Sequence, residues 1–211
     1  MTLIAVIDYG LGNISSIRSA LEKSGSDVIL TNNEKEIMEC DGVVLPGVGA
    51  FAHGMARLRM LGLDSIILSF AQTDKPLLGI CLGMQLFFES SSEFEQTTGL
   101  GLIKGTVNQL ELKDKLYQKL PHVSWNEIQE GINWNGTILE GIKDREDLYF
   151  VHGFYAKPES EDTVLSTTTY SQFQYCSTVK YGNIYGCQYH PEKSGVAGLR
   201  IMRNFVNLCG G

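Results

Sequence analysis

The stretch "LLGICLGMQLFFE", residues 77–89, predicts a strand, a sharp turn and a helix, with a cysteine at the turn. Its first residues are an apolar run typical of a buried strand, and its pattern predicts a helix from about Leu82 to Ser90. Gly79 and Gly83 flank Cys81, where small residues allow neighbouring strands to approach. A thiol on such a turn is pushed out of the sheet, as in the nucleophile elbow of hydrolases. The free N–H groups that open the helix favour a thiolate and can stabilise an oxyanion.

A cysteine nucleophile of this kind needs a base, and the best of the four histidines lies in "YHPEKS" (189–194). Pro191 disfavours a helical conformation for His190, so we expect an extended segment that turns His190 and Glu192 to the same side. A carboxylate beside the imidazole would fix its tautomer and stabilise the imidazolium. A buried structural cysteine and a strand-end histidine explain either motif alone. Their combination favours Cys81, His190 and Glu192 as a catalytic triad.

The order of the apolar segments predicts the fold class. Apolar strands that alternate with helices in the first half predict a parallel sheet covered on both faces, and the later strands look more antiparallel. We therefore expect an α/β three-layer sandwich, with a central, mostly parallel sheet flanked by helices and additional antiparallel strands, as a single domain over residues 1–211. The predicted strands lie at 3–8, 27–30, 42–46, 76–80, 147–156, 163–170 and, as a pair, 173–192; the predicted helices also cover 14–23, 50–60, 63–71 and 196–208.

Composition limits the classes of function. The chain has 211 residues, is 43% hydrophobic and carries a formal net charge of −7, which argues against a nucleic-acid-binding protein. It holds no run of ~18 apolar residues that could span a membrane. The opening has an early Asp8 and no basic region, unlike a signal peptide. Five scattered cysteines without a CxxC pair indicate a reducing compartment, so we expect a cytoplasmic protein, with neither metal nor cofactor.

Combined motifs reveal a resemblance to a known family. "GICLGMQ" together with "HPEKS" resembles the class I (triad) glutamine amidotransferases. Four further stretches narrow the resemblance to the glutaminase subunits of imidazole glycerol phosphate synthase, an enzyme of histidine biosynthesis. The resemblance extends from Ile7 to the terminal helix. These stretches are "IDYGLGN" (7–13), "PGVGAF" (46–51), "LPHVSWNE" (120–127) and "YFVHGFY" (149–155).

The resemblance implies a reaction and a substrate site. Cys81 would attack the carboxamide of L-glutamine and release ammonia, with His190 as base and acid and Glu192 orienting it. The thioester would then be hydrolysed to glutamate. The residues implied in the oxyanion and glutamine sites are Gly47, Val48, Gly49, Leu82, Gln85, Gly153 and Phe154.

The resemblance also implies a partner. Ammonia would pass to a (β/α)8-barrel cyclase subunit of imidazole glycerol phosphate synthase in a heterodimer. For Trp125, ordinary core packing is the alternative to a role at this interface. The residues implied at the interface or along the path between the sites are Asn13, His122, Trp125, Asn126 and Lys193.

Two stretches depart from the family pattern and leave alternatives open. Val123 and Ser124 replace a methionine and a glycine, and Gly153 and Phe154 stand where a small hydroxyl residue and often a tyrosine are expected. A paralogous glutaminase that feeds a different synthase, such as one amidating surface sugars, would fit these changes. Outside this class, the alternatives are a cysteine peptidase or stand-alone γ-glutamyl hydrolase, and a non-catalytic interaction subunit.

Overall fold

The computed structural model describes residues 2–112 and 119–210, and two β-sheets dominate this part of the chain. The strands are β1 (Leu3–Ile7), β2 (Asp27–Thr31), β3 (Gly42–Leu45), β4 (Leu77–Ile80), β5 (Phe88–Ser91), β6 (Thr97–Thr98), β7 (Ile103–Gln109), β8 (His122–Glu130), β9 (Glu146–His152), β10 (Phe154–Pro158), β11 (Val164–Tyr170), β12 (Phe173–Tyr181) and β13 (Ile184–Cys187). The helices are α1 (Ile14–Lys23), α2 (Glu34–Glu39), α3 (Phe51–Met60), α4 (Leu63–Ala71), α5 (Leu82–Leu86) and α6 (Gly195–Cys209), with 3₁₀ turns at Glu161–Thr163 and Pro191–Lys193.

The larger sheet of the described residues has nine strands in the order β2-β1-β3-β4-β13-β12-β11-β8-β9. The strands from β2 to β13 pair in parallel, and those from β13 to β9 pair antiparallel. The prediction of an α/β fold in which antiparallel strands extend a parallel sheet is confirmed. The antiparallel half is nearly as wide as the parallel half, and β10, β7, β5 and β6 form a second sheet that the sequence did not indicate.

The core lies on both faces of the larger sheet, as the uninterrupted apolar strands predict. Along β1, Ile4 and Val6 pack with the buried faces of α1 and α6, whereas Ala5 and Ile7 pack with those of α3 and α4. This alternation follows from the two-residue period of a strand. Helices therefore cover the parallel strands on both sides, which gives the expected layered arrangement.

Local differences from the prediction come from pairing between distant segments. The helix after the cysteine ends at Leu86 rather than Ser90, because Phe88 joins β5 and pairs with Ile103 of the second sheet. The predicted strand 147–156 divides at Gly153 into β9 and β10, which belong to different sheets. Helix α2 was not predicted. Among the described residues, no helix is both long and apolar enough to cross a membrane.

Candidate active site

Cys81 lies on the turn between β4 and α5 in a backbone conformation that is strained for a non-glycine residue, with φ of 56° and ψ of −110°. Such strain costs on the order of 1–3 kcal/mol and persists where the surroundings hold it. A Cβ on Gly83 would lie 1.9 Å from the carbonyl oxygen of Leu45, and one on Gly79 would lie 2.6 Å from a backbone nitrogen. The flanking glycines therefore allow the close packing that the sequence predicts.

Strand register brings the histidine of the predicted triad to the cysteine. Cys187 pairs with Ile80, and its carbonyl oxygen accepts a hydrogen bond from the N–H of Cys81 at 2.7 Å. His190 follows three residues later, where its N–H donates to the carbonyl of Tyr149 at 2.9 Å. The parallel pairing of β4 with β13 thus joins two motifs that are more than one hundred residues apart in the chain.

The imidazole of His190 is buried, and its neighbours favour its charged form. Its Nδ1–H donates to Oε1 of Glu192 at 2.8 Å, and the two side chains are 2% and 0% exposed. Burial lowers the pKa of His190, but its interactions with Cys81 and Glu192 outweigh burial and raise the pKa to about 9. Its Nε2 is buried without a hydrogen-bond partner in the described residues, so it is the ring nitrogen left for the thiol proton.

The segment after His190 is not extended, contrary to expectation. Pro191–Lys193 forms a 3₁₀ turn that begins with the proline, whose missing N–H is tolerated at the first helical position. The N–H of Lys193 and the hydroxyl of Ser194 both donate to the carbonyl oxygen of His190, at 3.0 and 2.7 Å. This turn, rather than strand alternation, brings Glu192 back against His190.

A cavity of about 340 Å³ opens beside the cysteine and has the size of a small-molecule site. It contains most of the predicted substrate residues, but Gly47 is buried behind it. A Cβ on Gly47 would lie 2.7 Å from the hydroxyl of Tyr9, which donates to the carbonyl of Pro46 at 2.7 Å. The lining residues are Val48, Gly49, Cys81, Leu82, Gln85, Glu93, Val151, His152, Gly153, Phe154 and Lys193.

Glu93 is a cavity residue that the sequence reasoning missed. It follows β5, is only 9% exposed, and accepts a hydrogen bond on Oε2 from the N–H of Phe51 at 2.7 Å. It is the one carboxylate among the lining residues of the described chain. The sequence gives no signal for it, because it is one of several glutamates in a polar stretch.

Two glutamines connect the cavity wall to the nucleophile. Nε2 of Gln85 donates to the carbonyl oxygen of Phe154 at 3.0 Å and to Oε1 of Gln188 at 2.9 Å. Nε2 of Gln188 in turn lies 3.8 Å from Sγ of Cys81. Gln85 was predicted as a substrate contact, whereas Gln188 was not singled out.

His152, which lines the cavity, is joined to the buried His122 through Tyr175. The hydroxyl of Tyr175 lies 3.0 Å from Nδ1 of His122 and 3.1 Å from Nε2 of His152, whose Nδ1–H donates to the carbonyl of Phe154 at 2.8 Å. Burial lowers the pKa of His122 to about 4 and that of His152 to about 3. Both imidazoles are therefore neutral at pH 7.

His122 does not present a surface to a partner, contrary to the expectation for this residue. Its side chain is fully buried and stacks on the rings of Phe150 and Tyr170, with centroid distances of 5.1 and 3.9 Å. The cause is the alternation along β8, which turns His122 inward and its neighbour Val123 outward. Val123 is 53% exposed.

The other residues predicted at a partner interface reach the surface. Trp125 is 53% exposed and meets the ring of Tyr149 edge-on, with 6.0 Å between centroids. Lys193 is exposed, and its ammonium lies 5.8 Å from the centroid of Tyr149. Asn13 and Asn126 are half-buried.

Comparison with known proteins agrees with this geometry. The sequence model of the family described as "Glutamine amidotransferase class-I" matches residues 5–208. The chain belongs to the class I glutamine amidotransferases. Solved structures similar to this glutamine amidotransferase include a Thermoplasma acidophilum protein assigned to a GMP synthase, with a TM-score of 0.73 and 21% identity, covering 100% of this chain and 94% of the other. PurLQS from Thermotoga maritima has a TM-score of 0.70 and 19% identity, covering 98% of both chains.

Curated relatives are more similar in sequence. Proteins named imidazole glycerol phosphate synthase subunit HisH from Moorella thermoacetica and Methanosarcina acetivorans are each 42% identical to this amidotransferase. The matches cover 99% of this chain in both cases, and 96% and 100% of the relatives. A protein from Legionella pneumophila (strain Lens) with the same subunit name, numbered 1, is also 42% identical, covering 99% of this chain and all of the relative.

Proposed function

We propose that this chain is the glutaminase subunit of an imidazole glycerol phosphate synthase and hydrolyses L-glutamine to glutamate and ammonia. The observation that carries the proposal is the strained Cys81 beside a small-molecule cavity, with a buried His190–Glu192 pair against it. The full-length relatives named as subunits of this synthase support the choice of pathway. The protein would act in the cytoplasm as one glutaminase domain.

The triad geometry supports nucleophilic catalysis. The thiol proton of Cys81 moves to Nε2 of His190, and the sulfur attacks the carboxamide carbon of glutamine. The imidazolium then gives this proton to the leaving nitrogen, which departs as ammonia and leaves a thioester. Water, deprotonated by the same imidazole, hydrolyses the thioester to glutamate and restores the thiol. The pKa of about 9 for His190 means that a proton taken from the thiol is retained at neutral pH.

Two elements can stabilise the oxyanion. The first N–H groups of α5, beginning with Leu82, have no partner within the helix. On the opposite side of the cavity, Gly49 has a φ of 99°, and a Cβ added to it would have no atom within 4 Å. Because glycine tolerates large changes of φ and ψ, we propose that the Val48–Gly49 peptide presents its N–H to the oxyanion only when a partner docks, so that the isolated chain is nearly silent.

The cavity also offers contacts for the amino-acid end of glutamine. The carboxylate of Glu93 is the anionic group in the lining and would bind the α-ammonium. Both N–H groups of Gln85 are already bound, so this amide can offer only its oxygen to a ligand. Gln85 would therefore accept a hydrogen bond from a donor group of the substrate.

A surface beside the cavity suits the synthase partner. On β8 and β9, Val123, Trp125, Tyr149 and Val151 are cross-strand pairs, and Val151 also lines the cavity. We propose that this surface receives the (β/α)8-barrel cyclase subunit, with Asn13, Asn126 and Lys193 at its margin. Docking there would cover the mouth through which ammonia leaves.

The test is glutamate release from glutamine by the chain alone and mixed with the same organism's cyclase carrying a cyclase ligand. We expect strong stimulation by the cyclase, complete loss in Cys81→Ala, and weakened stimulation without loss of folding in Trp125→Ala. A silent mixture with a folded chain would instead support a paralogous synthase as the partner. Full activity without any partner would refute the gated oxyanion site.

A further inference from the structure

Gln188 occupies a place in the site that the triad mechanism does not use. It lies between Cys187 and the catalytic histidine, is fully buried, and its N–H donates to the carbonyl of Ser177 at 2.9 Å. Its side-chain amide lies between Gln85 and the sulfur of Cys81, at 2.9 and 3.8 Å. A buried amide needs partners for its polar atoms, and these two neighbours supply one each.

The orientation of this amide follows from one backbone group. The carbonyl oxygen of Phe154 can only accept hydrogen bonds, so the NH₂ group of Gln85, and not its oxygen, must face it at 3.0 Å. The second N–H of the same NH₂ group points to Gln188, which must therefore present its oxygen. The NH₂ group of Gln188 is then left facing Cys81. The carbonyl oxygen of Phe154 therefore determines which end of each side-chain amide is the oxygen and which is the NH₂ group.

The carbonyl of Phe154 is itself held in place. Nδ1–H of His152 donates to the same oxygen at 2.8 Å, and Nε2 of His152 lies 3.1 Å from the hydroxyl of Tyr175. Two donors, from Gln85 and His152, converge on this oxygen, so the carbonyl group that orients Gln85 has little freedom to rotate.

We propose that Gln188 is a further catalytic residue, whose side-chain N–H donates a hydrogen bond to the sulfur of Cys81 and stabilises the thiolate. The bond strengthens when the thiol proton moves to His190, because hydrogen bonds to a charged acceptor are stronger than those to a neutral one. It also fixes the direction of the sulfur toward the cavity. This inference deepens the proposed glutaminase mechanism and rests on it for its relevance to turnover.

The discriminating variant is Gln188→Glu. A carboxylate of the same shape still accepts the N–H of Gln85 but cannot donate to the sulfur. Because its charge would also oppose a thiolate, an uncharged second variant, Gln188→Met, is measured beside it, and slowing in both variants reports the lost N–H donor. Val179→Ala, a buried change on the neighbouring strand β12, is the control for loss of packing alone. Circular dichroism and thermal unfolding establish that all three variants are folded.

The measurement is the rate at which iodoacetamide alkylates Cys81 in the full chain at pH 7.5, followed by mass spectrometry of the Cys81 peptide. We expect Gln188→Met to slow alkylation about 10-fold, Gln188→Glu to slow it at least as much, and Val179→Ala to leave the rate within about twofold, since a charge-assisted hydrogen bond is worth about one order of magnitude or more. With the partner present, kcat for glutamine should fall in proportion while KM changes less.

An alkylation rate for folded Gln188→Met that equals that of the wild type would overturn the proposal, even if Gln188→Glu is slow. The assay needs no glutamine turnover, so the proposal can hold even if the chain releases no glutamate, and the two failures are distinguishable. If Gln188→Met does not fold, the side-chain amide signal of Gln188 in the ¹⁵N-labelled wild type decides. It should shift on Cys81→Ser substitution, and an unchanged signal would overturn the proposal.

Discussion

Replacing Tyr175 by phenylalanine should destabilise the protein through two buried histidines. The hydrogen bonds that link His122, Tyr175 and His152 have one consistent direction, because the last acceptor in the series is the carbonyl oxygen of Phe154. His152 donates from Nδ1 to that oxygen and must accept on Nε2 from the hydroxyl of Tyr175, which accepts in turn from Nδ1–H of His122. Nε2 of His122 accepts from the hydroxyl of Ser124 at 2.8 Å.

The expected magnitude follows from the two groups that Tyr175→Phe would leave unpaired. One is the N–H of His122, which is 0% exposed, and the other is Nε2 of His152, which is 6% exposed. Each buried orphan costs roughly 1–3 kcal/mol, so we expect a loss of about 3 kcal/mol in the free energy of unfolding. For a chain of this length the melting temperature should fall by about 6–12 °C.

Urea denaturation followed by circular dichroism measures this loss, with Tyr155→Phe as the matched control. The ring of Tyr155 packs 6.1 Å from that of Tyr175, but its hydroxyl makes no hydrogen bond within the described residues. We expect the control to change the free energy of unfolding by less than about 0.5 kcal/mol. Equal losses in the two variants would refute the directed hydrogen-bond chain.

Two further predictions concern the catalytic residues. The pKa of His190 is raised to about 9 in the folded protein, so its contribution to stability should be complete below pH 6.5 and lost as the pH rises toward 9, an effect of about 3 kcal/mol. Urea titrations across this range should show a shallower decline in Glu192→Gln, and equal slopes would contradict the assignment. A Gly83→Ala substitution places Cβ 1.9 Å from the carbonyl of Leu45 and should lower kcat about 100-fold by displacing the nucleophile. The control is Gly136→Ala, at a residue with a φ of 67° where an added Cβ would have no atom within 4 Å. It should cost about 1 kcal/mol of stability and leave kcat unchanged. A similar kcat in both variants would show that the close packing at Gly83 is not required.

The elements that the sequence predicts well are those whose signal is local. Apart from α2, the strands and helices from β1 to β4 have uninterrupted apolar runs or a clear helical period, and their predicted bounds agree with the structure to within one or two residues. The cysteine turn is also local, because its glycines and its thiol lie within five residues. The triad could be assembled from two short motifs for the same reason.

Features that depend on pairing between distant segments could not be read in this way. The short α5 ends where β5 joins a second sheet, and no residue of 82–90 indicates that competing interaction. The Tyr175 network needs side chains from β8, β9 and β12 at once. The family resemblance implied that His122 lies at an interface or along the path between the sites, yet the register of β8 turns its side chain into the core.

The two walls of the proposed oxyanion site differ in how closely they are packed. On the helix side, Leu82 is 1% exposed and Gly83 packs against the carbonyl of Leu45, so the N–H groups of α5 are fixed with the nucleophile. On the opposite side, Val48 is 40% exposed and Gly49 has open space around it. We therefore expect a partner to change the proposed oxyanion site through the Val48–Gly49 side. Activation should appear there as a larger kcat, because the cysteine, its base and the Gln85 contacts are already assembled without the partner.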